Sequence, residues 1–130
     1  MHPFVKNARR QGLDTTFYLD LTHEREINDL LLIADVLITD YSSVIFEAAL
    51  LDIHVVFFAY DLEEYIVERD FFYPYEYYTY GSVVFSQEEL EEAIIEKNDC
   101  FSKKEKFVDY FMKACDGKST KRVIEMIFKR

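Results

Sequence analysis

Apolar residues fall in short bursts along the chain. Four of them, TTFYL at 15–19, VLIT at 36–39, HVVFF at 54–58 and SVVF at 82–85, are rich in β-branched or aromatic residues and bounded by polar ones, and they read as strands. Residues 26–34 and 43–51 instead carry apolar side chains at helical spacing, Ile27, Leu30, Leu31 and Ala34 in the first and Val44, Phe46, Ala49 and Leu50 in the second, which predicts helices. After Ser86 the pattern is helical only. Ser86 with Glu89 and Ser102 with Glu105 have capping-box spacing, and Ser119 or Thr120 can cap a last helix, with Gly117 where a stop belongs.

Strands alternating with helices of about ten residues imply βαβ units, right-handed crossovers and a parallel sheet. The class is α/β. The aromatic segment from Tyr60 to Tyr80, YDLEEYIVERDFFYPYEYYTY, is too polar for a core strand and, with Pro74 inside it, is not expected to be one continuous helix. No repeat, low-complexity tract or linker divides the chain, so residues 1–130 are expected to be one domain whose part from about 87 to 130 is helical.

Half of the 130 residues are hydrophobic, enough for a single core. Leu30 to Leu51 is interrupted by Asp35, Asp40 and Glu47, so no membrane span is expected, and the start of the chain does not read as a secretory signal. These features suggest a cytoplasmic protein. The formal charge of −10 disfavours nucleic acid and anionic membrane as partners. Acidic residues gather at 61–70 and 88–96, whereas Lys103, Lys104, Lys106, Lys118, Lys121, Arg122, Lys129 and Arg130 make the last thirty residues basic, as solvated helix faces often are. Cys100 and Cys115 are too few and too unpatterned for a disulfide framework or a metal site. Neither a metal nor a cofactor is expected.

The chemistry concentrates where the second run ends, at Asp40-Tyr41-Ser42-Ser43. In an open parallel sheet ligands collect at the carboxyl ends of strands, where the next helix begins and its first N–H groups lack partners. Two short hydroxyl side chains beside such donors suit a phosphate or diphosphate. Asp40 or Ser42 can equally serve as a helix cap, and a cap does not prevent the other serine from binding.

LLIADVLITDYSSVIFEAALLDIHVVFFAYDLEEY, residues 31–65, closely resembles the donor-binding half of the CDP-glycerol glycerophosphotransferases, which prime or polymerise teichoic acids in Gram-positive bacteria. Met1-His2-Pro3-Phe4 is similar to the end of that family's Leu-His-Pro turn, ERDFFYPYE to its Arg-Gly-Phe-Tyr-acidic segment and ACDGKSTKRVIEMI to its closing Asp-Gly-Lys-Ser helix. The resemblance spans essentially the whole chain. It implies the Rossmann-like C-terminal half of a GT-B fold, truncated before its first strands, with the acceptor side in an N-terminal domain that this chain does not include. On that resemblance Ser42 and Ser43 hold the diphosphate of CDP-glycerol or another CDP-alditol, Asp40 shapes the turn, and His2 approaches the transferred phosphate. Asp70 stands where the family has glycine after Arg69, and YYTYGS replaces its Pro-Gly-Pro turn.

The implied function is transfer of glycerol phosphate, or a related alditol phosphate such as ribitol phosphate, from its CDP form to a polymer hydroxyl in cell-surface polymer synthesis. The implied place in a full-length enzyme is the inner face of the membrane. A general base is expected outside this chain, which alone is expected to bind donor weakly and turn over little. His23 and His54 match no catalytic position and read as structural or surface residues, and the tyrosines of 60–80 read as packing or as a surface for cytosine. Two other classes compete: a noncatalytic nucleotide-binding or assembly module, and a receiver-like signalling domain with Asp40 as phospho-acceptor, although the acidic pair and late lysine of a receiver are missing. An open sheet edge, expected at 15–19, would favour self-association or cover by the N-terminal segment.

Overall fold

Val55, Val56 and Phe57 are 3%, 0% and 0% exposed, so the strand they form lies at the centre of the sheet. The computed structural model describes residue 14 and residues 16–24, 26–69, 71–96 and 100–128. Within them run α1 (Ile27–Leu31), β1 (Val36–Thr39), α2 (Val44–Ala49), β2 (His54–Phe58), α3 (Leu62–Glu68), a 3₁₀ turn (Tyr75–Tyr77), β3 (Ser82–Val84), α4 (Gln87–Ile95), α5 (Phe101–Phe111) and α6 (Ser119–Phe128). The sheet order is β1-β2-β3, and both pairs are parallel, Val36 opposite His54 and Val56 opposite Ser82. The α/β reading of residues 36–84 therefore holds, with β3 ending at Val84 rather than Phe85 and both predicted helices before β2 shorter than their periodic patterns.

Alternation along β2 builds three layers. Val55 and Phe57 join Ile45, Ala48, Ala49, Tyr80 and Phe107 in one core, where α2 packs beside α5. Val56 faces the other way, against Val84 and Ala93, under α4. Ala48 and Ala49, 0% and 3% exposed, let α2 approach the sheet closely, and Tyr80 Oη donates to the Ile45 carbonyl oxygen at 2.7 Å, fixing that helix from the start of β3. Gly81 sits where β3 passes β2: a Cβ there would lie 1.9 Å from the Val55 carbonyl oxygen.

Residues 16–19, the described part of the expected strand at 15–19, do not form a strand. Thr16 donates its N–H and its hydroxyl to Asp14 Oδ1 at 2.9 and 2.7 Å, and the N–H groups of Phe17 and Tyr18 reach the Asp14 carbonyl oxygen at 3.0 and 2.8 Å. This aspartate-led turn offers the backbone partners that a strand would need from a neighbour. Asp20 and Thr22 repeat the arrangement. The strands at the margins of the sheet are consequently β1 and β3, and among the described residues none pairs with the outer edge of β1.

Of the capping boxes, Ser86–Glu89 is present: Glu89 N donates to Ser86 Oγ at 3.2 Å, and Glu89 Oε2 accepts from Phe85 N at 2.8 Å. Ser102–Glu105 is not, because the Cys100 carbonyl already accepts from Lys103 and Lys104, which starts α5 at Phe101 and leaves Ser102 inside it. Likewise α6 begins at Ser119 itself, whose hydroxyl accepts from Arg122 Nη2 at 2.9 Å. Gly117, at φ 74°, precedes that helix in the left-handed conformation glycine tolerates best. The aromatic segment is not one continuous helix, as expected: α3 ends at Glu68, and Pro74 directly precedes the 3₁₀ turn. No helix among the described residues is long and apolar enough to cross a membrane.

Candidate functional site

β1 ends at Thr39 and α2 begins at Val44, so Asp40-Tyr41-Ser42-Ser43 is the link between a parallel strand and the helix that follows it. The link lies at the carboxyl ends of the strands. Asp40, Ser42 and Ser43 are exposed there. Asp40 Oδ1 accepts from Tyr41 N at 2.6 Å, turning the carboxylate back onto its own loop. Ser42 Oγ accepts from Val44 N at a long 3.4 Å. Ser43 occupies the residue before the helix with φ −65° and ψ −8°, and its side chain makes no capping bond. The hydroxyls thus divide: Ser42 leans weakly on the helix start, and Ser43 is left for solvent or a ligand. His2 lies outside the described residues, as does Asp70.

The turn is braced from below by rings. Tyr41 stacks on Tyr65 with centroids 3.9 Å apart and stands 5.6 Å from Tyr75 and 5.7 Å from Phe71. Its hydroxyl donates to Asp61 Oδ1 at 2.8 Å, just before α3. Tyr75 donates its hydroxyl to the Asp40 carbonyl oxygen at 3.2 Å. The tyrosines of the aromatic segment that contact the turn are therefore engaged in packing. Sequence reading missed Tyr41 and Asp61 as parts of the site; a tyrosine between an acid and two serines, with a second aromatic run twenty residues on, was the available signal.

Burial raises the pKa of Tyr41, with the hydrogen bond to Asp61 adding to the effect, and burial also raises Tyr75 and Tyr80, aided by the charges of Asp40 and Glu47 respectively. The sign follows from linkage. A neutral phenol favoured by the fold stabilises it fully below the unfolded value near pH 10, and that stabilisation is lost as pH rises beyond it. We expect tyrosinate absorbance in an alkaline titration to include a late component that ionises together with loss of the circular dichroism signal. Ionisation of every tyrosine near pH 10 with the fold intact would contradict this.

His54 Nε2 bonds the Ala93 carbonyl oxygen at 2.8 Å, tying β2 to α4, and His23 is exposed. His54, opposite Val36, lies at the other end of the sheet from the turn. A concavity of about 1340 Å³ opens at the opposite end of the sheet, bordered by Asp35, His54, Gly81 and Lys104. Lys104 Nζ donates to the Leu51 carbonyl oxygen at its edge. This concavity includes none of Asp40, Ser42 and Ser43, the candidate donor-site residues. Among the described residues no cluster of histidine, cysteine, aspartate or glutamate is arranged to hold a metal ion.

The sequence profile described as CDP-Glycerol:Poly(glycerophosphate) glycerophosphotransferase matches residues 1–129. A teichoic acid poly(ribitol-phosphate) polymerase of Bacillus spizizenii is 43% identical over 128 residues, 98% of this chain and 21% of the relative. A teichoic acid glycerol-phosphate transferase of Staphylococcus aureus is 35% identical over 118 residues, 87% of this chain and 30% of the relative. Among solved structures, the wall teichoic acid polymerase TagF superposes with a TM-score of 0.68 at 30% identity, over 90% of this chain and 31% of that one; TagF has also been solved with CDPG. The chain thus spans between about a fifth and a third of the length of these relatives.

Proposed function

Because the chain belongs to the CDP-glycerol:poly(glycerophosphate) glycerophosphotransferase family, we propose that it is the donor-binding part of a transferase that moves an alditol phosphate from its CDP-activated form to a hydroxyl of a teichoic-acid-like polymer. The observation that carries this reading is the Asp40–Ser43 link at the carboxyl end of β1, where both serine side chains are exposed and Ser43 is uncommitted to the helix.

In this reading Ser42, Ser43 and the first N–H groups of α2 receive the diphosphate, with Asp40 shaping the loop and His2 approaching the transferred phosphate. The acceptor hydroxyl attacks the β-phosphorus in line. A new phosphorus–oxygen bond forms, the bond to the bridging oxygen breaks, and CMP leaves while the hydroxyl proton passes to a base. Positioning and stabilisation of phosphate charge supply most of the rate in such a step. The base and the polymer site belong to the remainder of a longer enzyme.

Greater identity to the ribitol-phosphate polymerase than to the glycerol-phosphate transferase favours ribitol as the alditol. Titration calorimetry of the chain with CDP-ribitol, CDP-glycerol and, as a purine control, GDP tests both levels. We expect saturable binding of the cytidine compounds, CDP-ribitol the tighter, and none of GDP. Binding of CDP-glycerol in preference would move the assignment to glycerol, and absence of binding by both cytidine donors would remove the donor-site reading.

A further inference from the structure

We propose that Tyr41 and Tyr75 are positioning residues for the donor, holding the Asp40–Ser43 link in the one geometry that can receive a diphosphate; this rests on the donor-site reading above. The bonds that Ser42 makes to α2 are weak. Val44 N to Ser42 Oγ is 3.4 Å, and Ile45 N to the Ser42 carbonyl oxygen is 3.5 Å, both at the outer limit of useful hydrogen-bond length. Helix α2 is only six residues long, so it has little intrinsic order to impose on the residues before it.

What fixes the link comes from far along the chain. Tyr75, 6% exposed, holds the carbonyl of residue 40 from 35 positions away, and Asp61 holds the hydroxyl of residue 41 from 20. Between these two points the stacked rings of Tyr41 and Tyr65 occupy the underside of the loop. A phosphate site made of N–H groups and short hydroxyls depends on their directions, and displacements of about 1 Å are costly to function. Phenol hydroxyls at residues 41 and 75 therefore act on the ligand through the backbone, without touching it.

Tyr80 provides the comparison. Tyr80 is buried, as Tyr75 is, but its hydroxyl bonds the Ile45 carbonyl inside α2 rather than a group of the link. Amide hydrogen exchange of residues 41–44 and CDP-ribitol affinity are measured for the chain and for Tyr41→Phe, Tyr75→Phe and Tyr80→Phe. Each of the first two should speed exchange in the link and weaken donor binding by roughly threefold to tenfold, the range expected for one hydrogen bond. Tyr80→Phe should lower the melting temperature without changing either quantity.

Should Tyr75→Phe fold poorly, Tyr41→Phe and Asp61→Ala carry the test, since both act on half-buried groups, and their effects should be non-additive in the double variant. Unchanged exchange at 41–44 in Tyr41→Phe overturns the proposal, as does equal loosening by Tyr80→Phe. Loosened exchange with unchanged donor affinity overturns it too, while leaving the donor-site reading standing. Failure of the unsubstituted chain to bind any cytidine donor is the distinct result that removes the site itself.

Discussion

Replacing Ser42 and Ser43 together by alanine is expected to weaken CDP-alditol binding by at least about tenfold, the factor that corresponds to roughly 1.4 kcal/mol of lost contact. Two hydroxyl donors to a charged diphosphate exceed that value together, because hydrogen bonds to charged groups contribute about 1.5–3 kcal/mol each. The competing expectation comes from capping. Loss of a good helix cap costs about 0.5–2 kcal/mol of stability, and here the 3.4 Å bond from Val44 N to Ser42 Oγ and the uncapped Ser43 place any such loss at the low end. The double variant should therefore fold with nearly the parental melting temperature. Retained donor affinity in that folded protein would retire both serines as phosphate ligands.

Gly81→Ala should damage the fold itself. The added Cβ would lie 1.9 Å from the Val55 carbonyl oxygen and 2.9 Å from its carbon, with Phe57 also within reach. These belong to the central strand, so relief requires β2 and β3 to separate, and neither contact is the movable end of a side chain. Overpacking of a core typically costs about 1–3 kcal/mol; a clash with backbone belongs at or above the top of that range, a fall in melting temperature of roughly 10 °C for a domain of this size. Thermal unfolding followed by circular dichroism reads it directly. A variant as stable as the parent would show that the two strands can part at little cost.

Periodicity made β1, α2, β2 and β3 legible because each is fixed by which of its own side chains are apolar. Asp40, Ser42 and Ser43 could be placed at a strand-to-helix junction for the same reason. The strand expected at 15–19 was not legible as a turn: its residues have strand composition, yet Asp14 offers local partners and no described strand lies beside it. Ser102 failed as a cap because capping-box spacing specifies two side chains but not which carbonyl starts the helix. The bracing of the site was hidden more deeply. Tyr41 meets Asp61 and Tyr75 meets Asp40 across long separations, and such pairs exist only once the parallel crossovers have brought neighbouring loops to one end of the sheet.

The absence of glycine from the link between β1 and α2 has a thermodynamic corollary. A glycine-rich phosphate loop owes its shape partly to the anion it holds, and its conformational entropy is given up on binding. In this chain the rings of Tyr41, Tyr65, Phe71 and Tyr75 restrain the backbone as the domain folds, so that entropy is already spent before a ligand arrives. Association should then carry a small unfavourable entropy and little change in heat capacity beyond what desolvation of the ligand brings.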